Sequence, residues 1–313
     1  MIKYFLIFIC ITTSVFAIDS SLEDAYIIEV KDSLNQYQEE ELVSNSTTSY
    51  EVELEVESEP VAESSCDSCN KIAKPVNKRL NSPKDITIFE EKEIKPINYT
   101  NTISLNKLQV SEKKQKFFYM ILPAILISKQ KLEVKRAKVR TILDSENPSS
   151  EDLAFLKKLY KTYKTDKPKK LLNRMQTHPV SIVLAQAAIE SGWGESRFFK
   201  QGNNIFGMWS VNPNEPRMRA KGTRNGKPVY LRKFATLSDA IDNYFETIGR
   251  GAYKSFRKQR KITDDPLQLV QYLVNYCELK GKYTRKLRKF IIANKLKNFD
   301  DFKIDEIYLT KNF

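Results

Sequence analysis

The chain has 313 residues, 41% of them hydrophobic, which is room for about two domains and at least one sizeable core. Its single histidine, His178, and its one CxxC pair, Cys66 and Cys69, exclude His-cluster metal hydrolases and a four-ligand zinc site; neither a metal nor an organic cofactor is implied. The net charge of +13 is uneven: residues 18–110 hold 19 Asp+Glu against 9 Lys+Arg, residues 111–313 hold 20 against 42, and so basic a second half suits a polyanionic partner.

The opening MIKYFLIFICITTSVFA reads as a secretory signal over residues 1–17, with Lys3 ahead of an apolar core and Val15 and Ala17 at the −3 and −1 positions of a cleavage site. The apolar run is shorter than the ~20 residues a spanning helix needs, so no stable membrane span is expected after cleavage. Export places the chain in the periplasm or cell-wall space, and nucleic acid, although it fits the charge, does not fit that compartment. There Cys66 and Cys69 read as a local disulfide. Residues 18–110 lack sustained periodicity, carry the acidic run EVELEVESEP and are interrupted by Pro60, Pro75, Pro83 and Pro96. They read as a disordered linker, open to an unidentified partner.

Helical spacing begins near Glu112 and runs to about Leu143, through Phe117, Phe118, Ile121, Leu122, Ile125, Leu126, Leu132 and Val139. A second helix is expected over 150–164, capped by Ser149 or Ser150. Thr177 is expected to cap a third, with Pro179 in its first turn and Gly192 and Gly194 ending it. Prolines 213 and 216 and the segment TRNGKPVYLRKF predict an extended arm and a hairpin turning at Asn225–Gly226. Thr236 and Asp239 form a capping box, Asp265–Pro266 starts another helix, and residues 283–296 a last one.

The third of these helices carries the chemistry. Val180, Val183, Leu184, Ala187 and Ala188 fall on one side and Ile182 and Ile189 on the other, so both broad faces are buried and Gln186 and Glu190, at i and i+4, form a narrow polar stripe. A carboxyl held against apolar neighbours keeps its proton to higher pH and serves as a general acid, the group a glycosidase needs. Asn203, Asn204 and Phe206 follow in a loop that folds back beside Glu190, where the asparagines either bond a sugar or hold the loop. Trp209 is either a core residue or a platform for a sugar ring, whereas Trp193 reads as core. Cys277 and His178 both sit in apolar contexts, which argues against a nucleophile and base pair.

The string AQAAIESGWGESRF followed by GNNIFGMW, with FFYMILPAILISKQ upstream and RKFATLSDAIDNYFETI downstream, resembles the glucosaminidase domain of glycoside hydrolase family 73 in its Bax-type bacterial subgroup. The resemblance covers about residues 112–297. It implies an α+β, predominantly helical, lysozyme-like catalytic domain with a small β-hairpin excursion, placed here at 111–300 with a C-terminal tail at 301–313. It also implies hydrolysis of peptidoglycan glycan strands at the β-1,4 bond after N-acetylglucosamine, with Glu190 as the catalytic acid and Tyr244 lining the cleft. Many members carry a second Glu on the hairpin. Residues 217–234 contain no acid, so Glu215 is the nearest candidate, with Asp239 and Asp242 beyond it. A muramidase or lytic transglycosylase on the same fold, and a non-catalytic wall-binding or scaffold protein, are the alternative readings. The expected substrate contacts are Gln186, Asn203, Asn204, Phe206, Trp209 and Tyr244.

Overall fold

A computed structural model of the chain describes residues 71–311. The signal segment, the acidic stretch before residue 71 and the Cys66–Cys69 pair lie outside the described residues. Among the described residues no helix is long and apolar enough to cross a membrane.

The scaffold is helical, as the spacing predicts. Helix α1 (Val110–Asp144) is buried on every side from Met120 to Ser128 and becomes amphipathic beyond it. Pro123 lies inside this helix, where its ring costs one backbone bond. Helix α2 (Ser150–Tyr163) starts where Ser149 accepts a bond from the Asp152 amide, and α3 (Pro168–Arg174) follows. Helix α4 (Val180–Ser191) is enclosed by α1 and by the C-terminal helix, α9, introduced below. Its residues Val180 to Ala188 are all buried. After the short α5 (Arg197–Gly202), the chain forms the predicted hairpin.

That hairpin pairs Arg217–Arg224 antiparallel with Lys227–Arg232 and turns at Asn225 and Gly226, whose φ values of 50° and 72° are those of a type I′ turn. Helix α6 (Leu237–Arg250) begins at the Thr236–Asp239 capping box, and α7 (Lys254–Gln259) and α8 (Pro266–Leu269) lead to α9 (Gly281–Ala293). Gly249 lets α6 cross tightly: a Cβ there would lie 2.4 Å from the Arg174 carbonyl and 2.9 Å from the Tyr163 ring.

Two expectations about the flanks are corrected. Residues 71–110 are not part of a structureless linker, and 301–311 is not a loose tail, because each is the other's partner. Strand β1 (Lys71–Ala73) pairs antiparallel with the C-terminal strand Leu309–Lys311, and β3 (Glu93–Ile94) pairs in parallel with Lys303–Ile304. Between them β2 (Val76–Lys78) pairs in parallel with β4 (Ile97–Tyr99). Leu80, Ile86, Ile94, Ile97, Tyr99 and Leu105 insert into the main core. At roughly 1.5–3 kcal/mol for each buried aliphatic side chain, this is a large anchoring contribution. Strands of two or three residues show no period in the sequence, and the partners of β1 and β3 lie more than 200 positions away, so nothing local announces them.

The start of α4 is also corrected. Thr177 does not cap it; Pro179 occupies the cap position without a side-chain bond. The cap comes from the far end of the chain, where Asp300 accepts the Ser181 amide at 2.7 Å and the Ser181 hydroxyl at 2.8 Å. Replacement Asp300→Ala should lower stability by about 1–2 kcal/mol in urea denaturation, the usual value of a helix cap. An unchanged midpoint would mean that these two bonds contribute nothing to folding.

Candidate active site

Glu190 stands one residue before the end of α4, and the turn that follows fixes its position. Gly192, Trp193 and Gly194 are all left-handed, at φ 59°, 57° and 80°. For a tryptophan this is strained. Its ring is clamped against Phe117, Phe118 and Phe290 at centroid distances of 5.7, 5.4 and 5.3 Å, which gives Trp193 the core role expected of it. Ser191 donates to the Ala187 carbonyl and accepts from the Gly194 amide. Glu195 then ties the turn to the N-terminal segment, its carboxylate accepting from the Ser104 hydroxyl and the Leu105 amide.

The Glu190 side chain is half-buried. Burial raises its pKa from 4.5 to about 7, working against the Tyr283 hydrogen bond and the positive charge of Lys286, both of which lower it. Tyr283, at the start of α9, donates to Glu190 Oε1 at 3.0 Å. Behind it, Gln186 Nε2 donates to the Tyr283 hydroxyl at 3.0 Å, Tyr244 donates to Gln186 Oε1 at 2.6 Å, and His178 Nε2 lies 2.8 Å from the Tyr244 hydroxyl. The structure thus brings Gln186 and Tyr244 to Glu190, but not as substrate contacts. Both side chains are fully buried.

Two more expected contacts are corrected in the same way. Asn204 is 1% exposed and holds the loop to the hairpin, accepting from the Met208 amide and donating to the Met208 and Arg232 carbonyls. Phe206 is buried and stacks on Tyr244 at 4.4 Å. Asn203 is half-buried and caps α5 in a left-handed conformation, with its amide spent on the Phe234 and Ala235 carbonyls. Trp209 remains partly exposed beside the hairpin, bridged to Leu231, with the Arg224 guanidinium 5.0 Å from its ring centre.

Glu215 lies at the base of the hairpin, its Oε2 2.6 Å from Arg232. Partial burial works to raise its pKa, but the bond and charge of Arg232, helped by Ser210 and Asn212, bring it below the usual carboxylate value. Asp239 is consumed by the capping box and Asp242 pairs with Lys131 at 3.4 Å, so all three candidate carboxylates are partnered. Among the described residues no group of three or more His, Cys, Asp or Glu side chains is placed to hold a metal ion.

Sequence reasoning missed Tyr283 and Lys286, and it weighed His178 only as a base for Cys277. Tyr283 was legible in part: it opens an apolar stripe with Leu287, Phe290 and Ile291, where its hydroxyl is a polar tip on a buried aromatic ring. What that hydroxyl meets depends on how α9 packs on α4.

Residues 166–296 match the glucosaminidase family, described as mannosyl-glycoprotein endo-beta-N-acetylglucosaminidase. Over 117 residues the chain is 32% identical to Protein bax of Escherichia coli, covering 37% of this chain and 40% of that protein. Over 89 residues it is 28% identical to the exo-glucosaminidase LytG of Bacillus subtilis, covering 27% and 32%. The matched region is thus less than half the length of either relative. The catalytic domain of the autolysin Auto from Listeria monocytogenes aligns with a TM-score of 0.35 at 17% identity, over 53% of this chain and 97% of that one.

The raised Glu190 pKa has a consequence for stability. Between its unfolded value near 4.5 and its folded value of about 7 the native state holds more protons than the unfolded one, so stability falls as pH rises through that window. Glu190→Gln removes the ionisation. It should leave stability unchanged at pH 4 and raise it at pH 8 by on the order of 2 kcal/mol after discounting for partial exposure, measured by urea denaturation at both pH values. A variant less stable than wild type at pH 8 would contradict the raised pKa.

Proposed function

We propose that this chain, whose residues 166–296 match the glucosaminidase family, is an exported peptidoglycan hydrolase that cuts the β-1,4 bond after N-acetylglucosamine with Glu190 as its general acid. The observation that carries the reading is a carboxyl whose pKa is raised to about 7, held half-open to solvent at the end of a buried helix inside the family-matched segment. Such a group holds its proton at neutral pH and can deliver it to a glycosidic oxygen as the bond to the anomeric carbon breaks.

The leaving sugar departs with the Glu190 proton, and positive charge develops at the anomeric carbon and ring oxygen. Glu215 is the proposed second carboxylate. Arg232 keeps it ionised, which suits electrostatic stabilisation of that charge better than proton abstraction. Water then adds to the anomeric carbon and its lost proton recharges Glu190, the better base of the two. Trp209 and the cations of the hairpin are the proposed contacts with the glycan and its anionic wall setting, which makes association sensitive to salt.

Three measurements on isolated cell walls test the reading. Glu190→Gln should lose roughly 10²–10⁴-fold in kcat, the usual contribution of general acid catalysis. The wild-type rate should fall as pH rises through about 7, where Glu190 loses the proton it must donate. Borohydride labelling of the digest followed by mass spectrometry should give reduced N-acetylglucosamine ends; reduced or anhydro N-acetylmuramic ends would overturn the bond assignment. Equal solubilisation of walls by wild type and the variant would overturn the role of Glu190.

A further inference from the structure

A catalytic acid must carry its proton on the oxygen that faces the substrate, and in this fold a buried chain of hydrogen bonds bears on which oxygen that is. The chain runs His178, Tyr244, Gln186, Tyr283, Glu190, with successive distances of 2.8, 2.6, 3.0 and 3.0 Å, and its first four members are at most 4% exposed. Its donors all point one way. Tyr244 gives its proton to the Gln186 carbonyl, so its oxygen accepts from His178 Nε2–H; the Gln186 amide donates to Tyr283, and Tyr283 donates to Glu190 Oε1.

The opposite polarity requires Gln186 to flip and His178 to carry its proton on Nδ1. That atom is buried with no hydrogen-bond partner among the described residues. A lone pair left bare there costs less than a bare N–H. The charges facing His178 are Arg260 after α7 and Lys129 on α1; burial first, then these two, hold its pKa well below the ordinary value, so it is neutral.

Building on the reading of Glu190 as the acid, we propose that His178 is a positioning residue: its Nε2–H tautomer fixes the polarity of the chain, so that Tyr283 occupies Glu190 Oε1 as a donor and the acid proton is kept on Oε2. With the chain reversed, Glu190 would donate from Oε1 into the protein, to Tyr283, and the proton would be unavailable to substrate. The other titratable groups facing Glu190 are Lys286 on α9 and Tyr253 ahead of α7.

Two experiments test this. Because the chain has one histidine, 15N-histidine labelling of the wild-type protein gives a single imidazole signal pair; the Nε2–H tautomer is expected, and Nδ1–H overturns the proposal whatever the activity. In kinetics, Tyr244→Phe frees the Gln186 carbonyl to turn and take the Tyr283 proton. It should lower kcat by roughly tenfold, the effect of about one hydrogen bond, with KM unchanged, and move the basic limb of the pH profile upward because Glu190 loses its donor. The double variant Tyr244→Phe/Gln186→Met leaves Tyr283 with Glu190 as the remaining acceptor in the chain, and should restore both kcat and the limb. A double variant no better than Tyr244→Phe overturns the proposal, since a merely structural network would be damaged further. Failure of the Glu190 assignment itself shows separately, as activity retained by Glu190→Gln.

Discussion

From Val180 to Ala188 helix α4 is buried on every side and offers its polar side chains no water, and the architecture around it follows from that constraint. Gln186 is fully buried and Glu190 only partly exposed, so the elements packed against them supply partners, and they do so with the hydroxyls of Tyr244 from α6 and Tyr283 from α9. Each aromatic ring contributes apolar area to the core and one hydroxyl to the network, which is the economical way to satisfy a buried amide. The same enclosure raises the Glu190 pKa. Packing and acidity are therefore two readings of one arrangement.

The ends of α4 are secured by segments remote in sequence. At its start the Ser181 amide and hydroxyl are met by Asp300, whose neighbour Lys129 bonds the His178 carbonyl at 3.1 Å. Past its end, Glu195 grips Ser104 and Leu105. Residues 71–110 and 301–311, which pair with each other through very short strands, thus brace the helix that bears Glu190. Strands this short are not stable alone, and they persist because Leu80, Ile86, Ile94 and Tyr99 are packed into the core beneath them.

The hairpin shows how a carboxylate outside its strands is held by them. Glu215 precedes the first strand but is drawn to Arg232 at the end of the second, across the Arg217–Arg232 register pair. Hydrogen bonds from Asn204 hold the preceding loop to the same strand end. Glu215 is placed by the hairpin without belonging to it, a relation that motif position alone does not express.

What the sequence determined by itself was local and periodic. Helix spacing in 112–143 and 180–191, the caps at Ser149 and Thr236, the Asn225–Gly226 turn and the apolar surroundings of Glu190 depend on neighbours within a few positions along the chain. Only the tertiary structure settled what each polar group meets. Gln186, Asn204 and Tyr244 have the chemistry of sugar ligands, and nothing in their spacing separates a side chain aimed into a cleft from one spent inside the core. Asp300, Tyr283 and His178 lie about 65 to 120 positions from the groups they serve. Hydrogen bonds act over some 3 Å of space with no regard to sequence separation, so such pairings exist only once the helices have packed.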